Sequence, residues 1–314
     1  MGKFVSLAVV AVITLAVGLS LVVAIAAGAE GGSSGPAPPG RGGADGGGAP
    51  GSGGVQPGAA IPTGWLALYQ RAAAASCAGL PWPVLAAIGT VETGSGQSHA
   101  PGVASGANAA GAEGPMQFEP ATFAAYATVG PGGAQPASPY DPIDAVYTAA
   151  ALLCANGAGA PSGLLAAVGD YNHSDAYVNT VLTLTIAFGE DPGASGTVVA
   201  ALSYAARQLG TPYVWGGTGN GGFDCSGLAQ VAYRSAGIAL PRVAQDQFDA
   251  GPPVAAGSTV RPGDLIFFGA GPGRVDHVGL YVGAGEMIDA PHTGAAVRFD
   301  SAHWPGLAGA TRPA

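Results

Sequence analysis

The chain has 314 residues, with 10 Lys and Arg against 19 Asp and Glu and a formal net charge of -9. That balance excludes the basic face of a nucleic-acid binder, and three cysteines exclude both a disulfide-dense mini-protein and a cysteine-rich zinc module. Hydrophobic residues make up 48% of the chain, and Gly with Pro more than a quarter of it, so the composition divides between apolar cores and linker in a chain long enough for about two domains.

Residues 4–28 carry no charge. As a helix, that stretch is long enough to cross a hydrocarbon core of ~30 Å with some tilt. Lys3 precedes it and Glu30 follows, so the positive-inside bias keeps the N-terminus in the cytoplasm and exports the rest. A single-pass membrane anchor through residues 4–28 is expected, with a signal peptide cleaved near Ala24-Ile25-Ala26 as the alternative. The first places the domains outside the cytoplasm at the cell membrane, and the second secretes them. Residues 29–62 hold 13 Gly and 6 Pro and cannot bury enough surface to offset ordering, so they read as a disordered linker.

From 63 to 189 the pattern is helical. Asp141-Pro142 reads as an N-cap followed by the first helical residue, and Ser174 as a cap for a helix whose apolar stripe includes Tyr177, Val178, Val181, Leu182 and Leu184. This half is expected to be all-α. Residues 190–196 form a short joint, and Thr197 can cap the next helix. From 197 to 314 the pattern becomes α+β with an antiparallel sheet. DLIFFG, HVGLYVG, EMIDA and AAVRF read as extended, Gly283-Ala284-Gly285 as a hairpin turn, and CSGLAQVAYRSAG as a helix ended by Gly237.

Cys225 opens that helix. A thiol there feels the positive end of the helix dipole and unpaired N–H groups, which favour the reactive thiolate. If HVGLYVG pairs with EMIDA about a turn near residue 284, His277 falls close to opposite Asp289, and that carboxylate can orient the imidazole toward the thiol. His292 is the weaker partner.

TPYVWGG, FDCSGL, RPGDLIFF, DHVGLYVG and EMIDAP, in that order and spacing, resemble the NlpC-type cell-wall peptidases, a papain-like cysteine peptidase family. The resemblance covers roughly residues 197–300. It implies Cys225 as nucleophile, His277 as general base and Asp289 as the orienting residue, where many members have His. It also implies Tyr213 close to the reacting centre, Asp224 and Ser226 against the free amine of the peptide, and cleavage of peptidoglycan stem peptides, usually after D-glutamate.

In the helical half, Glu92 closes a helix whose back face is apolar (Val84, Leu85, Ile88, Val91), an environment that raises a carboxyl pKa and suits an acid near neutral pH. VETGSG, GAEGPMQFEP, DPIDAVYTAAALLC and GDYNHSDAYVNTVL resemble the lysozyme-like soluble lytic transglycosylase domain over roughly residues 63–189. The resemblance implies Glu92 as catalytic acid, with Gln117, Tyr171 and Asn172 lining a glycan groove. The only acid between Glu92 and Gln117 is Glu113, read as structural. One carboxyl can protonate the leaving oxygen and then take the proton of the sugar's own C6 hydroxyl, giving a 1,6-anhydro product. A hydrolytic muramidase, which needs a second carboxylate, is the alternative.

Cys77 and Cys154 both lie in the helical half and are expected to pair, two buried thiols being the alternative, which leaves Cys225 free. The scattered histidines lack metal-ligand spacing, so neither a catalytic metal nor a cofactor is expected. Peptidoglycan is the expected partner, and the domain order resembles wall-opening enzymes that serve conjugation or secretion machinery. A wall-binding protein with inactive domains is the rival reading.

Overall fold

A computed structural model of the chain describes residues 60–160 and 163–314 in full, together with the backbone of residues 10–15 and 19–24. Those last two stretches form an antiparallel pair, β1 (Val10–Leu15) and β2 (Leu19–Ala24), rather than part of the single helix expected over 4–28. Their Val, Ile and Leu content suits a strand as well as a helix, an ambiguity that hydropathy alone does not resolve. No helix among the described residues is long and apolar enough to cross a membrane. Most of the expected linker, residues 29–59, lies outside the described residues.

Six helices follow: α1 (Thr63–Ala75), α2 (Trp82–Thr93), α3 (Pro120–Tyr126), α4 (Pro142–Ala155), α5 (Leu164–Tyr171) and α6 (Asp175–Glu190). Their starts obey local chemistry. Asp141 accepts hydrogen bonds from the Ile143 and Asp144 N–H groups, and Ser174 accepts one from Tyr177, as expected of N-caps. Helix α2 is central, with Val84, Leu85, Ala86, Ala87 and Ile88 all fully buried. A side chain at Gly89 would overlap the Tyr69 hydroxyl, so only glycine lets α1 approach this closely. Gly94, in the left-handed conformation, ends α2 immediately after Glu92 and Thr93. The expected Cys77–Cys154 disulfide is present, tying the end of α1 to α4.

Glu190 is the last residue of α6, and α7 (Gly196–Arg207) begins after a turn of five residues. Its cap is Ser195, which accepts from the Val198 N–H, and not Thr197, which already lies inside the helix. Buried residues from Ile61 to Val297 form one continuous core across this joint.

Short strands β3 (Thr218–Gly219) and β4 (Gly222–Phe223) lead into α8 (Cys225–Ser235) and α9 (Ala244–Ala250). The main sheet is antiparallel, in the order β8 (Arg298–Ser301), β7 (Glu286–Asp289), β6 (Arg274–Gly283), β5 (Leu265–Gly271), β9 (Leu307–Thr311). One face presents Leu265, Phe267, Val278, Leu280 and Ile288 to the helices, and the other carries Ile266, Phe268, Tyr281 and Met287. The turn between β6 and β7 places Ala284 and Gly285 at positive φ, the geometry of a tight two-residue hairpin. TPYVWGG contributes only the isolated bridges of Pro212 to Ala296 and Tyr213 to Phe223.

Candidate active sites

Asp224 builds the first site by capping α8. Its Oδ1 accepts the Gly227 N–H at 2.7 Å, which fixes the helix start and therefore the place of Cys225. Cys225 is the free thiol among the described residues and is half-buried. The second component comes from the sheet. On β6 Asp276 has no partner: Phe268 faces His277, and Gly269 faces Val275. This bulge immediately precedes His277 and re-aims the strand at the position where the imidazole leaves it.

His277 Nε2 lies 2.6 Å from Asp289 Oδ2. The two residues are diagonal rather than opposite, because Leu280 pairs with Ile288 and so sets Asp289 across from Gly279. The expected contact therefore forms about the turn expected near residue 284, along the diagonal rather than straight across. With Nε2 engaged by Asp289, the other ring nitrogen, Nδ1, is left for the thiol. Burial opposes a charge on this ring, but the Asp289 hydrogen bond and the neighbouring Cys225 thiol outweigh it and push His277 up to about 9. Burial raises the Asp289 carboxyl, with the nearby Asp300 adding to the effect, while the imidazole pulls it back. Asp289 is fully buried, and its Oδ1 has no hydrogen-bond partner among the described residues.

The ring is also held from its faces. Trp304 stacks on His277 with centroids 5.3 Å apart and planes 25° from parallel, and Phe268 lies 6.1 Å away. Trp304 follows β8 in a loop, and nothing in the sequence marked it beyond its being one of four tryptophans.

Asp224 and Ser226 are engaged internally. Asp224 Oδ2 accepts from the Gly216 N–H at 2.9 Å and from Arg242 Nη2 at 2.7 Å, and Arg242 Nη1 donates to the Ser226 hydroxyl at 3.0 Å. Arg242 is a site residue that sequence reasoning missed, since a single Arg after a Pro carries no pattern. Tyr213 stands beside this group. Burial raises its pKa, with Cys225 and Asp224 adding to the effect and Arg242 opposing it. His292 is exposed and hydrogen-bonds the Thr293 carbonyl, away from the pair.

The second site surrounds Glu92. Burial pushes its carboxyl up to about 7, partly offset by a 2.7 Å hydrogen bond from the Tyr177 hydroxyl. Tyr177, read from sequence as part of an apolar stripe, thus turns its polar end to the carboxyl. The Tyr171 hydroxyl donates to the Met116 carbonyl at 2.8 Å, which brings its ring to the turn holding Gln117. The Gln117 side chain is tied back, donating to the Gly114 carbonyl and accepting from Asn108. Asn172 caps the turn before α6 by accepting the Ser174 N–H. Glu113 pairs through its backbone with Phe118 in a tight β-bridge. Thr93 anchors the end of α2 to this turn, donating to the Pro115 carbonyl at 2.6 Å. Among the described residues, no three acidic, His or Cys side chains converge as a metal site.

The sequence pattern of the NlpC/P60 family matches residues 210–311, which hold Tyr213, Cys225, His277 and Asp289 and leave Glu92 outside. The chain is 42% identical over 111 residues to the Probable endopeptidase Rv2190c of Mycobacterium tuberculosis, covering 35% of this chain and 28% of that protein. It is 42% identical over 106 residues to the Gamma-D-glutamyl-L-lysine dipeptidyl-peptidase of Bacillus subtilis, covering 33% of this chain and 36% of the relative. The solved NlpC/p60 domain of peptidoglycan hydrolase SagA aligns at 36% identity over 36% of this chain and 97% of that one, with a TM-score of 0.34. The chain thus spans roughly a quarter to a third of the curated relatives' length. Its C-terminal part, residues 210–311, is an NlpC/P60 domain.

Proposed function

We propose that the protein is a peptidoglycan hydrolase whose cysteine site cleaves stem peptides on the carboxyl side of D-glutamate. The observation that carries this reading is the array of Cys225, His277 and Asp289 inside the matched NlpC/P60 segment. The thiolate attacks the amide carbonyl, and the N–H groups at the start of α8 face the oxyanion that develops. The imidazolium of His277 gives its proton to the leaving amine, leaving a thioester on Cys225. The neutral imidazole then takes a proton from water, which attacks the thioester, releases the peptide carboxylate and restores the thiol pair. Asp289 holds the ring tautomer and offsets its charge throughout.

The same reading gives the helical half a second bond. Glu92, with its pKa near neutrality, protonates the glycosidic oxygen and then takes the proton of the sugar's C6 hydroxyl, so the glycan leaves with an anhydro end. A segment near residues 4–28 that directs both halves out of the cytoplasm brings them to the wall. Incubating purified peptidoglycan with wild type, Cys225→Ala and Glu92→Gln tests the proposal. New peptide amines that vanish only in Cys225→Ala, and anhydro ends that vanish only in Glu92→Gln, support it. Intact walls under wild type would reduce the protein to a wall binder.

A further inference from the structure

The β6–β7 hairpin carries both His277 and Asp289, so its register fixes the pair that works on Cys225. The far end of that hairpin is held by the helical half. The Ala284 N–H donates to Glu190, the last residue of α6, and the Tyr281 hydroxyl donates to the same carboxylate at 3.4 Å. The Gly285 N–H in turn donates to the Tyr281 hydroxyl at 3.1 Å, so the hairpin sends two polar groups directly to Glu190 and a third reaches it through that hydroxyl. Gly283 packs against the same helix end; a side chain there would stand 3.1 Å from Ile186 Cγ2 and 3.3 Å from Glu190 Cδ. Helix α6 is itself fixed in the helical core by Val178, Val181, Leu184 and Phe188. Its first turn carries Tyr177, the hydrogen-bond donor to Glu92. One helix of 16 residues therefore reaches the Glu92 site through Tyr177 and the β6–β7 turn through Glu190, two positions ~20 Å apart along its axis.

We propose that Glu190 is a positioning residue of the cysteine site, and that the helical half acts through it to hold the hairpin in the register that joins His277 to Asp289. The physical basis is that a hairpin's register is set by its turn and by what packs on it. A loosened turn lets the two strands shear, and the diagonal His277–Asp289 contact, which depends on both strands, lengthens first. The inference rests on the peptidase reading for its consequence, but its geometry can be measured without turnover.

The test is carried out on the full chain with Glu190→Ala and Glu190→Gln, the latter retaining an oxygen for the Ala284 N–H. The His277 ring is titrated by NMR, and peptide cleavage is followed across pH. In Glu190→Ala the imidazole is expected to titrate at lower pH than in wild type. The value of kcat is expected to fall about three- to tenfold with KM unchanged, a modest loss for a misplaced catalytic group. Glu190→Gln is expected to recover most of both. If Glu190→Ala does not fold, Tyr281→Phe, which removes one hydroxyl from the cluster, is read in its place with the same expected direction. An unchanged His277 titration in a folded variant overturns the inference. Absence of cleavage by wild type overturns the peptidase reading instead, and the titration still decides the role of Glu190.

Discussion

Asp289 meets His277 diagonally across the β6–β7 hairpin, at 2.6 Å and with the carboxylate fully buried. A charged partner in that position stabilises the imidazolium more than a neutral one does. Asp289→Asn keeps a hydrogen-bonding group but removes the charge, so peptide cleavage is expected to fall by ~10²-fold, with the alkaline limb of its pH profile moving to lower pH. Asp289→His restores the residue type that the family resemblance leads one to expect and is expected to retain more activity than Asn. Steady-state kinetics across pH on the two variants checks both statements.

The stack of Trp304 on His277 makes a second prediction. An aromatic face next to a cationic ring favours the charged form and keeps water from the Asp289 hydrogen bond. Trp304→Ala is expected to lower kcat roughly tenfold and to lower the pH at which His277 titrates, whereas Trp304→Phe keeps most of the effect. NMR titration of the ring reads this directly.

The two sites are expected to separate with pH. On the proposed reading Glu92 acts while protonated, and burial pushes its carboxyl up to about 7, so glycan cleavage is expected to decline as pH rises through that value. The imidazolium of His277 persists to about 9, so peptide cleavage outlasts it. Stability follows the same sign for His277. A pKa raised above the unfolded value of about 6.5 contributes stability that is complete below that pH and is lost as pH rises toward 9. Product analysis on one wall preparation at successive pH values shows which bond type disappears first.

Tyr177 gives a more local test. Its hydrogen bond favours the ionised form of Glu92, so Tyr177→Phe is expected to raise the carboxyl pKa further and move the decline of glycan cleavage to higher pH. The loss in rate is expected to stay within about tenfold, the value of one hydrogen bond. A shift in the opposite direction would exclude the assigned polarity.

The disulfide closes a loop of sequence separation 77 within the helical half. Replacing both Cys77 and Cys154 with Ser is expected to cost up to ~4 kcal/mol of stability in the chain-entropy account and to lower the unfolding temperature. Calorimetry on the double variant measures it.

Which parts of this arrangement were legible in the sequence follows from how local their signals are. Asp141 and Ser174 cap their helices by accepting N–H groups two or three residues on, so their role shows in a few consecutive residues. The hairpin turn at 283–285 likewise brought His277 and Asp289 together, but the exact register depends on a two-residue turn and came out diagonal. Tyr177 fitted an apolar stripe because periodicity sees its ring and not the hydroxyl that reaches Glu92, 85 residues away in sequence. Arg242, Trp304 and the Glu190 contact with Ala284 are joined to their partners only by the fold. The apolar stretch near the N-terminus shows the converse, since composition alone suits strand and helix equally.

The central claim is that Cys225 and His277 together cleave the wall's stem peptides. The most direct measurement is mass spectrometry of muropeptides released from purified peptidoglycan by wild type and by Cys225→Ala. The account predicts fragments ending in D-glutamate with wild type, their absence with Cys225→Ala, and anhydro-sugar ends in both. Stem peptides left whole by wild type, or cut equally well by the variant, would contradict it.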